Sequence, residues 1–115
     1  ACEVLRGLKN AKNTKLMIVI NDKYADGRDV SWLWDADFEV LEKFNNKIFI
    51  SGTRADDMAL RLKYAGVDPS VMVIENSIKK TFDYALKSMY IGEKLVILPT
   101  YTALLKLNKI IKGKI

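Results

Sequence analysis

The residues with the most chemical potential in this 115-residue chain crowd into one stretch, Asn21 to Asp37. There, five aspartates (Asp22, Asp26, Asp29, Asp35 and Asp37) stand beside Trp32, Trp34 and an Arg28-Asp29 pair. Aspartate, asparagine and glycine are ordinary turn residues, Ser31 or Asp35 is a fitting helix cap, and tryptophans are commonly packed core. Turns do not need that many carboxylates, because like charges in one loop repel unless they are solvated, paired or used. One use is to orient an imidazole. A carboxylate bonded to one ring nitrogen fixes the tautomer and stabilises the cation formed when the other nitrogen takes a proton. The sequence contains no histidine, so any Ser-His or Cys-His mechanism would have to borrow its base from another chain.

Such side chains are useful only if something rigid holds them. Four short apolar runs rich in Ile and Val, Leu16 to Ile20, Lys47 to Ile50, Val71 to Ile74 and Leu95 to Leu98, have strand length and no strict alternation. That is the pattern of strands buried on both faces of a parallel sheet. Helix-length segments lie between them. Asp35 to Phe44 places Phe38, Leu41 and Phe44 together, Arg54 to Ala65 aligns Met58, Leu62 and Ala65, Ile78 to Met89 aligns Phe82, Ala85 and Met89, and Thr102 to Ile111 aligns Leu104, Leu107 and Ile111. Glu3 to Ala11 is also helix-compatible. The order (α)βαβαβαβα predicts an α/β fold, a Rossmann-like three-layer sandwich around a mainly parallel sheet of four or slightly more strands. Thr53 or Ser51 is the expected cap of the second helix and Asn76 or Ser77 that of the third, with Gly66 and Gly92 ending helices.

Composition sets the outer bounds. Half the residues are hydrophobic and 29% are charged, which suits one globular domain spanning residues 1–115. The net charge of +5 raises the question of a polyanionic partner, but the lysines are scattered. The densest group, Lys106, Lys109, Lys112 and Lys114, reads as cations completing a helix C-terminus, so no nucleic-acid partner is expected. Cys2 is the single cysteine, which excludes an internal disulfide and a cysteine-only metal site, and no metal site is expected. No apolar run has the length of a membrane span, so a cytoplasmic protein without a transmembrane segment is expected. The chain opens into a helix without a methionine, as a piece of a longer protein would.

The run Asn21 to Asp37, together with Ser51-Gly52-Thr53-Arg54, Ala59-Leu60-Arg61-Leu62-Lys63 and Pro99-Thr100-Tyr101-Thr102-Ala103-Leu104, resembles the C-terminal domain of the MurT family. These are the Mur-ligase-like subunits of lipid II isoglutaminyl synthase. The resemblance covers about the whole chain, and its specific part is Tyr24 to Asp37. It implies a Mur ligase C-terminal-domain-like fold and a share in an ATP-dependent amide ligase of peptidoglycan synthesis. That ligase converts the D-glutamate α-carboxylate of the lipid II stem peptide to D-isoglutamine, with ammonia from a GatD-type glutaminase. It also implies that the Gly-Arg-Asp motif completes the partner's cysteine-histidine pair, a role that falls to Asp29. The bland alternative pairs Asp29 with Arg28 or Arg54, or uses it as a cap near Ser31. Tyr24, Arg28, Trp32, Trp34, Asp35, Arg54 and Asp57 are the candidates for the partner interface or the substrate cleft.

The resemblance also implies ATP and Mg, bound mainly in a domain upstream. The chain has no Gly-x-x-x-x-Gly-Lys-Ser/Thr loop, so it would bind neither and would be inactive alone. Two other readings stay open: a stand-alone Rossmann-like module for a small anionic ligand, and an interaction scaffold whose Trp-rich loop is a hot spot. The lack of a Gly-x-Gly-x-x-Gly loop weakens a dinucleotide version of the first.

Overall fold

A computed structural model describes residues 13–21, 37–44 and 46–114. Its centre is a parallel sheet of four strands, β1 (Thr14–Val19), β2 (Ile48–Ser51), β3 (Met72–Ile74) and β4 (Lys94–Pro99), in the order β3-β2-β1-β4. Register is continuous across the middle, with Leu16 opposite both Ile48 and Val96. Helix α1 (Ala55–Tyr64) follows β2, α2 (Ile78–Ser88) follows β3 and α3 (Tyr101–Lys114) follows β4.

Strand alternation divides the core into two halves. Leu16, Ile18, Ile20, Ile48 and Ile50 point to one face and pack with Ala55, Met58 and Leu62 of α1 and with Phe38 and Leu41. Met17, Val19 and Phe49 point to the other and pack with Ile78, Phe82 and Ala85 of α2 and Ala103 and Leu107 of α3. Both faces of β1 and β2 are therefore apolar, which is why these strands read as unbroken hydrophobic runs. The three-layer α/β architecture expected from the sequence is the one observed.

Three local expectations change. Asp35 to Phe44 was expected to be an α-helix. Within the described residues its regular part is a 3-10 turn, Phe38–Leu41, followed by i to i−3 bonds from Glu42 N to Glu39 O and from Phe44 N to Leu41 O. Phe38 and Leu41, three apart, meet the core from one such turn. The N-cap of α1 is Arg54, with no side-chain cap bond. Ser77 does cap α2, its hydroxyl accepting from Lys80 N at 3.3 Å. Gly66 takes the left-handed conformation just beyond α1, whereas α2 closes at Met89 and Gly92, also at positive φ, lies in the turn before β4. The expected helix Glu3 to Ala11 lies outside the described residues.

Two buried cations tie the layers together. Arg61, 3% exposed, reaches from α1 to the 3-10 turn, donating from both terminal nitrogens to Glu39 at 2.9 Å and lying 5.4 Å from the centre of the Phe38 ring. The guanidinium holds the Glu39 carboxyl below its usual range. A lysine cannot make this forked contact or stack as flatly. Glu39 remains half-exposed and can be resolvated, so Arg61→Lys should cost only about 1 kcal/mol. A thermal melt should read this as a drop of roughly 4–8 °C.

Lys15, in β1, is the second. It is 3% exposed and bonds Glu93 at 2.5 Å, with its ammonium 4.9 Å from the Tyr90 ring centre. Glu93 also accepts from Tyr90 N at 2.7 Å and Asn46 Nδ2 at 3.0 Å, stapling the amino ends of the strands. Lys15, then the Tyr90 amide and Asn46, hold the Glu93 carboxyl down from 4.5 to about 2. The unfolded chain therefore takes up a proton there at higher pH than the folded one. The stabilisation is complete above the unfolded value and is lost as pH falls through the folded one. Thermal midpoints should decline between about pH 5 and pH 2, and Glu93→Gln should flatten that decline while lowering the midpoint at neutral pH. An unchanged slope in the variant would assign the acid sensitivity elsewhere.

Candidate functional site

In a sheet of this order the chain runs outward from β1 to β3 and then returns to the far side of β1, so the adjacent carboxyl ends of β1 and β4 mark a topological switch point with a crevice outside it. Open α/β sheets bind ligands in such a crevice. Here it is built around Asn21, 4% exposed, immediately after β1. Its backbone amide donates to Thr100 Oγ1 at 3.2 Å, and its side-chain Oδ1 accepts from Thr53 N at 3.0 Å. Asn21 thereby joins the ends of β1, β2 and β4.

The next strand end is sewn on through Gly52. Its amide donates to Asn76 O at 3.3 Å, and its carbonyl accepts from Asn76 Nδ2 at 3.1 Å. Gly52 has φ +99°, and a Cβ placed on it would lie 2.3 Å from the Ile20 carbonyl oxygen and 2.8 Å from Asn21 Oδ1. The absence of a side chain is what lets the β1 end pass this close and lets Ile20 O accept from Arg54 N at 2.9 Å. Glycine here serves close backbone approach as well as its permissive φ.

Arg54 and Asp57 face each other across the first turn of α1, Arg54 Nε lying 2.6 Å from Asp57 Oδ2, with both side chains partly exposed. The two candidates thus form an ion pair with one another at the edge of the crevice. The remaining candidates, Tyr24, Arg28, Asp29, Trp32, Trp34 and Asp35, lie outside the described residues. Their segment leaves from Asn21 and returns at Asp37.

An open cleft of about 610 Å³ extends from the crevice along the α2–α3 layer. Asn21, Thr53, Asn76 and Ser77 form its upper wall, and Lys79, Lys106 and Lys109 line it from the two helices. Sequence reasoning missed this grouping. Lys79 and Lys106 belong to different helices, and only the crossover that returns β4 beside β1 brings them together. Among the described residues no group of three or more His, Cys, Asp and Glu is gathered for a metal ion, and no helix is long and apolar enough to cross a membrane.

Fold and crevice define a doubly wound α/β domain built to present groups beyond its strand ends. The sequence model of the MurT ligase C-terminal family matches residues 1–104, and the chain belongs to that family. It is 43% identical over 89 residues to the lipid II isoglutaminyl synthase (glutamine-hydrolyzing) subunit MurT of Staphylococcus aureus, covering 76% of this chain and 20% of that protein. It is 33% identical over 102 residues to the subunit of the same name from Streptococcus pneumoniae, covering 86% of this chain and 22% of that one. The chain spans about a fifth of the length of the curated relatives it matches.

Proposed function

We propose that this chain is the C-terminal domain of a ligase subunit that amidates the D-glutamate α-carboxylate of the lipid II stem peptide, using ATP and ammonia released by a GatD-type glutaminase. In that reading residues 1–115 form one unit of a longer protein. The unit docks the glutaminase and contributes Asp29 to its cysteine-histidine pair. The observation that carries the reading is the family match over residues 1–104, which includes Gly27-Arg28-Asp29.

The chemistry is consistent with it. A thiol becomes an effective nucleophile when a neighbouring imidazole takes its proton, and the imidazolium that results is stabilised by a carboxylate on its other nitrogen. A chain with acidic residues and no histidine can supply the carboxylate of that triad but not its imidazole. Trp32, Trp34 and Arg28 are residue types that dominate contact surfaces, and they flank Asp29 in sequence.

The sequence has no P-loop, so in this reading ATP and Mg bind mainly in an upstream part of the ligase and this domain is inactive alone. The test is amidation by the complete two-subunit enzyme on its lipid-linked stem peptide, with product read by mass spectrometry. Conversion of the glutamate α-carboxyl to an amide, dependent on ATP and lost when residues 13–114 are deleted from the ligase subunit, is expected. Conversion that survives the deletion would remove this domain from the reaction.

A further inference from the structure

The chain's positive charge is not spread evenly. Helix α1 balances Asp56 and Asp57 with Arg61 and Lys63. The opposite layer sets Lys79, Lys80 and Lys87 of α2 and Lys106, Lys109 and Lys112 of α3 against Asp83 alone. Three of these lysines, Lys79, Lys106 and Lys109, face into the cleft between the helices. None of the three is ion-paired among the described residues.

The cleft has more than charge. Lys106 and Lys109 are three apart and so lie side by side on α3, while the first turn of α2 enters from the other wall, its leading amides without intrahelical acceptors. Asn21 lines the upper end and is 4% exposed. Because Thr53 N donates to its Oδ1, the side-chain orientation is fixed, and Nδ2 remains a donor. Beneath it, Ser51 is fully buried, and its hydroxyl has no hydrogen-bond partner among the described residues. Ser51 stands two residues from Phe49, whose side chain packs with α2 and α3, so the hydroxyl points to that same layer. No carboxylate lines the cleft, and its charged lining groups are the three ammonium groups.

We propose that this cleft binds a diphosphate group. Three ammonium groups match a diphosphate carrying about three negative charges near neutral pH, and a cleft of about 610 Å³ is larger than one phosphate fills. The cleft is separate from Arg54 and Asp57, which neutralise one another. The inference does not rest on the proposed ligase reading, since it concerns only groups of the described chain. A nucleoside diphosphate and a prenyl diphosphate share the chemistry the cleft recognises.

The test is calorimetric titration of the chain with inorganic pyrophosphate in chloride buffer, repeated with a nucleoside diphosphate and a short, water-soluble prenyl diphosphate. Amide chemical shifts are followed in parallel. Saturable 1:1 binding is expected, with shifts at Asn21, Ile78 and Lys79. Charge-assisted hydrogen bonds are the strongest of the neutral and ionic series, so Lys106→Gln/Lys109→Gln should weaken binding about 10-fold or more. The equal charge loss Lys87→Gln/Lys112→Gln should weaken it less than about 3-fold. Tighter binding of one organic diphosphate than of pyrophosphate identifies the source of the group. Binding that fails to saturate, or equal weakening by the two double variants, would reduce the cleft to diffuse attraction and overturn the proposal. So would binding to vesicles of anionic lipid with none to pyrophosphate, which would make the layer a membrane-facing surface instead.

Discussion

Gly52→Ala should strongly destabilise the chain, with a thermal midpoint more than about 15 °C below the wild type. Two costs combine. An alanine held at φ +99° pays about 1–2 kcal/mol for its left-handed backbone. Its Cβ would also stand 2.3 Å from Ile20 O, a backbone atom that cannot rotate away. Relief requires the β1 and β2 ends to separate, which breaks the bond from Arg54 N to Ile20 O and that from Thr53 N to Asn21 Oδ1. The sum is roughly 4 kcal/mol or more, in the range reserved for strained backbone and lost buried networks. A domain of this size has only about 5–15 kcal/mol in hand. Gly92→Ala is the matched control, because Gly92 has φ +90° but a Cβ there meets nothing within 4 Å. It should cost about 1 kcal/mol. Urea unfolding of both variants separates the terms, and equal losses would mean that the strand ends are not packed as tightly as described.

The second large effect concerns catalysis in the complete enzyme. Asp29→Asn should lower glutamine-dependent amidation by about 10³- to 10⁴-fold, because an amide in place of the carboxylate presents the imidazole with the wrong tautomer partner and no charge. Amidation driven by free ammonia should change little, since it bypasses glutamine hydrolysis and leaves the ligase chemistry alone. The ratio of the two rates is the informative quantity. A structural role for Asp29, such as pairing with Arg28 or capping near Ser31, would depress both nitrogen sources together.

The framework of the fold was legible because it rests on local patterns. Each strand of the sheet is a contiguous apolar run, and each found strand lies within two residues of its expected ends. The apolar spacing of Met58 and Leu62, or of Phe82 and Ala85, is read directly as a buried helix face. What was missed depends on residues far apart in sequence. Thr53 looked like a cap for α1, but the cap position falls to Arg54, and the Thr53 amide donates to Asn21 Oδ1, 32 residues away. Lys15 looked like one more scattered surface lysine, yet it is buried by a carboxylate 78 residues further on. Lys106 and Lys109 looked like the end of a helix, and only the return of β4 beside β1 sets them opposite Lys79.

The site shows the same division. The crevice at the strand ends follows from topology alone, and Ser51-Gly52-Thr53-Arg54 marks one of its corners in the sequence. The ion pair of Arg54 with Asp57 was within reach of the sequence, since the two are three apart on a helix start. The hub role of Asn21 was not, because nothing local distinguishes it from any other asparagine after a strand.

The most direct measurement is titration of a GatD-type glutaminase with this chain, reading affinity by calorimetry and glutamine hydrolysis in the same mixtures. Saturable binding is expected, with a hydrolysis rate that rises to a plateau with wild type, while Asp29→Asn binds with similar affinity and gives little rise. Absence of saturable binding, or equal activation by both chains, would remove Asp29 from the glutaminase site.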